Sequence, residues 1–174
     1  KQALSQGIVY VSEDRKKEGL VLGMSVAKNV TISSLGRFSK GQLINKKQEK
    51  ESVLHYKDAM RIKTPSLDQS VKLLSGGNQQ KVSIAKSLST QPKILIMDEP
   101  TRGVDVGAKK EIYELMNEFK RNGLGILMIS SEIPELLGVC DRIIVMSEGK
   151  IAGVLSRDKA NSNEIMRLAI GAGV

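Results

Sequence analysis

At 174 residues, with 40% hydrophobic and 26% charged residues, the chain can bury the core of one compact domain, or of a large part of one, and disorder is excluded as its main state. The net charge of +8 suits an anionic partner, but aromatics are 3% and Trp is absent, so base stacking is poorly served. Basic residues are scattered in small knots such as Arg15-Lys16-Lys17 and Lys46-Lys47, which reads as a solvated surface with local phosphate binding and no nucleic-acid partner. One cysteine, Cys140, permits no internal disulfide and fits a reducing cytoplasm. No apolar run has the length of a membrane span, and no signal peptide is visible. The opening Lys1-Gln2-Ala3, without methionine, reads as a fragment, a processed form or an excised piece.

In chain order, Gly7 to Val11 reads as a buried strand that ends in the polar cluster Ser12-Glu13-Asp14-Arg15. Glu18-Gly19-Leu20 turns the chain, and Ser25 is placed as N-cap of a helix through Val30. Gly36 to Gly41 reads as loop. Asn45 to Ile62 is expected as helix with Val53, Tyr56 and Met60 on one face, broken by Thr64-Pro65-Ser66. His55 on it has no partner spaced for metal and reads as a surface residue. Ser75-Gly76-Gly77 precedes a helical pattern carrying Val82, Ile84, Ala85 and Leu88. Ile94 to Met97 reads as a strand buried on both faces. Lys109 to Arg121 is an amphipathic helix with a core stripe of Ile112, Leu115, Met116 and Phe119, stopped by Asn122-Gly123. Gly125 to Ile129 is another buried strand, followed by a short helix at Pro134 to Leu137. Arg142 to Met146 and Gly149 to Val154 form a hairpin about Glu148-Gly149. Asn163 to Ile170 closes the chain as a helix packed through Ile165, Leu168 and Ala169.

Two stretches carry chemistry. At Ser75-Gly76-Gly77 a hydroxyl and free backbone N–H groups meet at a helix start with no Cβ to bar approach, a site for an anion such as phosphate. Asp98 and Glu99 stand where the strand 94–97 ends, the edge at which open α/β sheets bind ligands. An acidic pair there suits a hard cation and a positioned water.

In this order and close succession, Leu74-Ser75-Gly76-Gly77-Asn78-Gln79-Gln80 resembles the signature motif of ATP-binding-cassette (ABC) ATPases, Ile94 to Glu99 their Walker B motif, and Gly103-Val104-Asp105 their D-loop. The wording of Ser12 to Lys16, Asn78 to Lys81 and Asp98 to Lys109 resembles the second cassette of the double-cassette ATPases of bacterial ribose- and galactose-type importers. The resemblance runs along essentially the whole chain. It implies an α/β fold, a P-loop NTPase core at 1–19 and 90–158. It also implies a helical subdomain at 20–89 that carries the signature and faces the membrane partner, and a C-terminal helix within 159–174. No Gly-x-x-x-x-Gly-Lys-Ser/Thr occurs, so the cassette reads as incomplete at its N-terminus, lacking Walker A and, with it, a strand expected beside 94–97.

The resemblance further implies ATP and Mg²⁺ as cofactors. Two cassettes pair head to tail, so Ser75, Gly76, Gly77 and Gln79 serve nucleotide held by the other cassette. Asp98 holds Mg²⁺, Glu99 polarises the attacking water, and Asp105 reaches across the dimer. Implied partners are transmembrane permease subunits, the other cassette and, indirectly, a periplasmic sugar-binding protein. The implied place is the cytoplasmic face of the bacterial inner membrane, peripherally bound. Glu13 stands where the family's Q-loop has glutamine, and Ser131 where many members have a switch histidine. A hydroxyl carries no charge and reaches less far than imidazole. A non-hydrolysing regulatory half is therefore the alternative, with a non-transport ABC ATPase behind it.

Overall fold

The computed structural model describes residues 2–41 and 43–171. A short helix α1 (Gln2–Ser5) leads into strand β1 (Ile8–Val11). The turn expected at 18–20 begins earlier. The Asp14 carboxylate accepts from the Lys16 and Lys17 amides and caps a single π-type turn over Arg15–Gly19. Ser25 caps helix α2 (Val26–Thr31), as its position anticipates. Residues 36–41 are not plain loop. A 3-10 turn (Leu35–Phe38) is followed by strand β2 (Ser39–Lys40), which pairs antiparallel with β3 (Leu43–Ile44). Strands this short carry no readable alternation. Asn45 caps helix α3 (Lys46–Ala59), which stops short of the expected Ile62 because Arg61 turns left-handed at φ 51.

Ser75 caps helix α4 (Gly76–Leu88), and strand β4 (Ile94–Asp98) follows it. Asp105 caps α5 (Val106–Arg121), one turn earlier than the apolar stripe indicates, and Gly123 at φ 86 ends it. Strand β5 (Gly125–Ile129) completes a parallel three-stranded sheet in the order β1-β4-β5. Ile8 lies opposite Ile94 in one ladder and Asp98 opposite Ile129 in the other. The absent neighbour expected for 94–97 is therefore misplaced: β4 is the central strand, flanked on both sides. Among the described residues the edges of this sheet are β1 and β5, and Leu127 and Ile129 of β5 are exposed.

The helix α4 is buried nearly all round and packs on β1, α2, α3 and α5. Val82, Ile84 and Ala85 join Leu95, Met97, Ile112 and Leu115 among the fully buried side chains. All of these elements lie in the first of two compact units, Lys1–Ile129.

The second unit, Ser130–Val174, holds α6 (Ile133–Val139), the hairpin β6 (Arg142–Ser147) and β7 (Lys150–Ser156), and α7 (Ser162–Ala169). Glu148 and Gly149 both have positive φ, as a two-residue hairpin turn between right-twisted strands requires. Ile143, Val145 and Ile165 form its core with Leu136, Leu155 and Leu168 packed against them. The end of the expected C-terminal segment, 172–174, lies outside the described residues.

Candidate functional site

The candidate residues of the first unit lie at the start of α4, in the loop 101–105 and at the end of β4. The Ser75 hydroxyl accepts from the Asn78 amide side chain at 3.1 Å and stays exposed at the helix start. The Asn78 carbonyl oxygen in turn accepts from the Lys63 backbone N–H at 2.8 Å. A cleft of about 320 Å³ opens here, lined by Lys63, Ser75, Asn78, Lys81, Asp105 and Glu111 among others. Helix N-terminal N–H groups favour an anion at its mouth, while the Lys63 ammonium is paired with Glu111 at 3.6 Å.

The glycines do more than leave N–H groups bare. A Cβ on Gly77 would fall 2.5 Å from the Ala108 Cβ, so only glycine lets α4 approach the first turn of α5. A Cβ on Gly76 would fall 3.0 Å from the Arg15 Nη2 and 3.0 Å from the Gly103 carbonyl. Gln79 departs from expectation. It is buried, and its amide donates to the Val71 and Leu74 carbonyls at 3.2 Å each. Its side chain holds the loop that leads into the helix instead of facing a nucleotide. Asn78, one residue earlier, stands at the cleft, and α-helical spacing from the Ser75 cap was the available signal.

Asp105 is exposed and accepts from the Ala108 N–H at 2.9 Å, fixing the first turn of α5 beside Gly77. The loop before it is clamped from the far end of β1. The Arg15 guanidinium donates to the Arg102 carbonyl at 2.8 Å and to the Gly103 carbonyl at 3.1 Å. Burial pushes the Arg15 pKa down from its ordinary value. Glu13 is ion-paired with Arg102, so the Q-loop-like position is tied to the same loop. Sequence reading gave Arg15 no role, because its partners lie 87 and 88 residues away.

At the end of β4 the Asp98 carboxylate accepts from the Tyr10 hydroxyl at 2.6 Å. That hydrogen bond, chiefly, raises the Tyr10 pKa above the ordinary phenol value. Glu99 has φ 43, a left-handed conformation unusual for a residue with a side chain. Its N–H donates to the Ile129 carbonyl at 2.9 Å, which ties the bend to the end of β5. Strain of this kind gathers where a side chain must be aimed. Among the described residues no group of three or more His, Cys, Asp or Glu could cage a metal. The donor set fits Mg²⁺ nevertheless, since that ion commonly takes one or two carboxylates and completes its shell with water and substrate phosphate.

In the second unit Ser131 is exposed beside Ser130, whose hydroxyl donates to Glu135 at 2.8 Å. No helix among the described residues is long and apolar enough to cross a membrane.

Comparison with known proteins identifies the family and the fold. A family model described as ABC transporter matches residues 1–102. The chain is 56% identical over 170 residues, 97% of its length, to the ribose import ATP-binding protein RbsA of Clostridium perfringens (strain SM101 / Type A), of which it covers 34%. The protein of the same name from strain 13 / Type A matches equally, and the chain thus spans about a third of the length of these relatives. A solved nucleotide-free ATP-binding cassette from an ABC transporter aligns with a TM-score of 0.77 at 21% identity, covering 96% of this chain and 70% of that one. The cbiO1 structure from Clostridium perfringens, part of the ABC transporter complex cbiONQ, aligns at 0.75 and 25% identity, covering 90% and 60%. The fold is that of an ABC ATPase, an α/β P-loop NTPase core, and the chain belongs to the ABC transporter family.

Proposed function

We propose that this chain is part of an ATP-hydrolysing subunit that powers import of a ribose-type monosaccharide across the bacterial inner membrane. The observation that carries the proposal is the 56% identity, over 97% of the chain, to proteins named for ribose import. Its partners are transmembrane permease subunits and a second ATPase cassette, with a periplasmic sugar-binding protein acting through the permease. The subunit sits peripherally on the cytoplasmic face. Residues 20–89 serve as the helical subdomain against the permease, an assignment supported by exposed Val21 and Met24 in an apolar segment.

The residues divide the work by chemistry. The Ser75 hydroxyl and the N–H groups of Gly76 and Gly77 bind phosphate oxygens of nucleotide held by the other cassette, and Asn78 takes the place first given to Gln79. Asp105 contacts that cassette across the interface. Asp98 would hold Mg²⁺, and the Tyr10 hydroxyl, 2.6 Å from its carboxylate, would orient it. Bound Mg²⁺ neutralises charge on the phosphates. Glu99 orients water and accepts its proton, with the bend at φ 43 aiming the carboxylate. Glu13 and Ser131 occupy the Q-loop and switch positions.

The test is Glu99→Gln in the intact subunit with its permease. Loss of a general base costs roughly 10²- to 10⁴-fold in turnover. Unchanged turnover would favour the second reading, a regulatory half, which the exposed hydroxyl of Ser131 at the switch position favours. Ribose-dependent stimulation of ATP turnover in reconstituted vesicles checks the substrate.

A further inference from the structure

Arg15 joins three stretches of chain at one point. It is 9% exposed and leaves the segment that follows β1. Its Nη1 and Nη2 atoms donate to two successive carbonyls at the start of the D-loop, Arg102 at 2.8 Å and Gly103 at 3.1 Å. The same Nη2 presses on the start of the signature helix, where any Cβ on residue 76 would meet it at 3.0 Å. Glu13, two residues before Arg15, holds the Arg102 side chain. Residues 13 and 15 thus grip Arg102, the residue that leads into the D-loop, by its side chain and by its backbone.

We propose that Arg15 is a positioning residue that sets the spacing between the D-loop and the first turn of the signature helix, and so ties both to segment 12–15. Its consequence for catalysis rests on the reading above, in which D-loop and signature meet nucleotide on the other cassette. A planar guanidinium that spans two consecutive carbonyls fixes direction as well as distance, which a lysine ammonium does not. Burial keeps these hydrogen bonds from being screened by salt. The Arg15 Nε is buried without a hydrogen-bond partner. A desolvated donor left unpaired is costly, so the hydrogen bonds from Nη1 and Nη2 are what hold this buried guanidinium in place.

The experiment uses the intact subunit in its membrane complex, with Arg15→Gln and Arg15→Lys. Small misplacement of a reacting constellation costs up to roughly 100-fold in rate. Arg15→Gln is expected to lower kcat at least about tenfold while KM for ATP stays within about threefold. Arg15→Lys restores less than half of the lost rate, because one ammonium cannot span both carbonyls. Amide hydrogen exchange is expected to quicken at 75–78 and 102–105 in both variants and to stay unchanged in β4. Wild-type kcat with wild-type protection at 102–105 in Arg15→Gln overturns the proposal. Exchange that quickens equally through β1 and β4 also overturns it, since Arg15 is then only a staple of the fold. If Arg15→Gln does not fold, the lysine variant decides, and full kcat in it refutes the bidentate role. A wild-type complex without ATP turnover sinks the proposed function instead, while the exchange measurement still decides the junction.

Discussion

Gly77 shows how one residue can answer to two demands. Its N–H belongs to a helix start fit for phosphate, yet its missing side chain is required first by Ala108, 2.5 Å from where a Cβ would stand. Forcing an extra carbon into a packed contact costs about 1–3 kcal/mol. Gly77→Ala should therefore lower stability by about that much, and Ala108→Gly added to it should restore most of the loss beyond the new glycine's own cost. Denaturant melts of the two single variants and the double variant measure the coupling; additive effects would mean that the helices do not meet there. Lys81 makes a second case. It is 2% exposed, and its ammonium is paired with Glu111 and donates to the Arg61 carbonyl at 3.2 Å. The hydrogen bond from Lys81, foremost, holds the Glu111 pKa below the ordinary glutamate value. A carboxylate depressed on folding adds stability in full above its unfolded pKa, about 4.3, and loses it as pH falls through the lower folded value. Wild type should thus exceed Glu111→Gln in stability at neutral pH, and the gap should close in acid below about pH 4. A gap that is constant with pH would show that the charge of Glu111 contributes nothing.

Elements divide by how local their causes are. β1, β4, α5, β5 and the β6–β7 hairpin were legible as elements because apolar runs, caps and a Glu148-Gly149 turn lie within a few residues of what they specify; the full burial expected of two strands was not, since β4 is buried only at Leu95 and Met97 and β5 at no residue. The β2–β3 pair and the π-type turn at Arg15–Gly19 were not, since each is too short to show a period and rests on contacts elsewhere. The central place of β4 was likewise hidden, because pairing partners in a parallel sheet are distant in sequence. The places of Asp98 and Glu99 at a strand end and of Ser75 at a helix start were legible in the sequence. Arg15, Tyr10 and the inward turn of Gln79 depend on neighbours that only the folded chain supplies. The loop before α2 is a further example. Asn29 is fully buried; its amide donates to the Val21, Met24 and Ser25 carbonyls, and its oxygen accepts from the Val21 N–H at 2.8 Å. This one side chain shapes the apolar segment 20–24 proposed to face the permease. Asn29→Leu strands several backbone groups, each costing about 1–3 kcal/mol if it stays dry. It should destabilise the protein by about 3 kcal/mol and weaken crosslinking from Val21 to the permease. Wild-type melting with undiminished crosslinking would show that the loop holds its shape without Asn29.

For the molecule as a whole, nucleotide binding depends on which phosphate groups the chain can meet by itself. Its 174 residues contain no Gly-x-x-x-x-Gly-Lys-Ser/Thr, the loop whose backbone N–H groups and lysine cradle phosphates. Hydrogen bonds to a charged group contribute about 1.5–3 kcal/mol each, and a phosphate loop supplies several together. What the chain offers instead is divided. Asp98 and Glu99 are carboxylates that repel a triphosphate unless Mg²⁺ stands between. The start of α4, with Ser75 and Asn78 at a cleft, presents a handful of donors, but the cleft is also lined by the carboxylates of Asp105 and Glu111. Against this stands the net charge of +8, which draws any polyanion weakly and is screened within about 10 Å at 0.1 M salt. A calorimetric titration of these 174 residues with Mg-ATP should then show no saturable binding in the micromolar range. Whatever heat appears should shrink steeply as salt is raised. If, as proposed, a second cassette presents its nucleotide to Ser75 in the intact subunit, affinity should return there, and Ser75→Arg should block turnover by filling the space proposed for the γ-phosphate. Micromolar, salt-resistant binding by the isolated chain would mean that the cleft beside Ser75 holds nucleotide alone, and the division of labour between two cassettes would have to be abandoned.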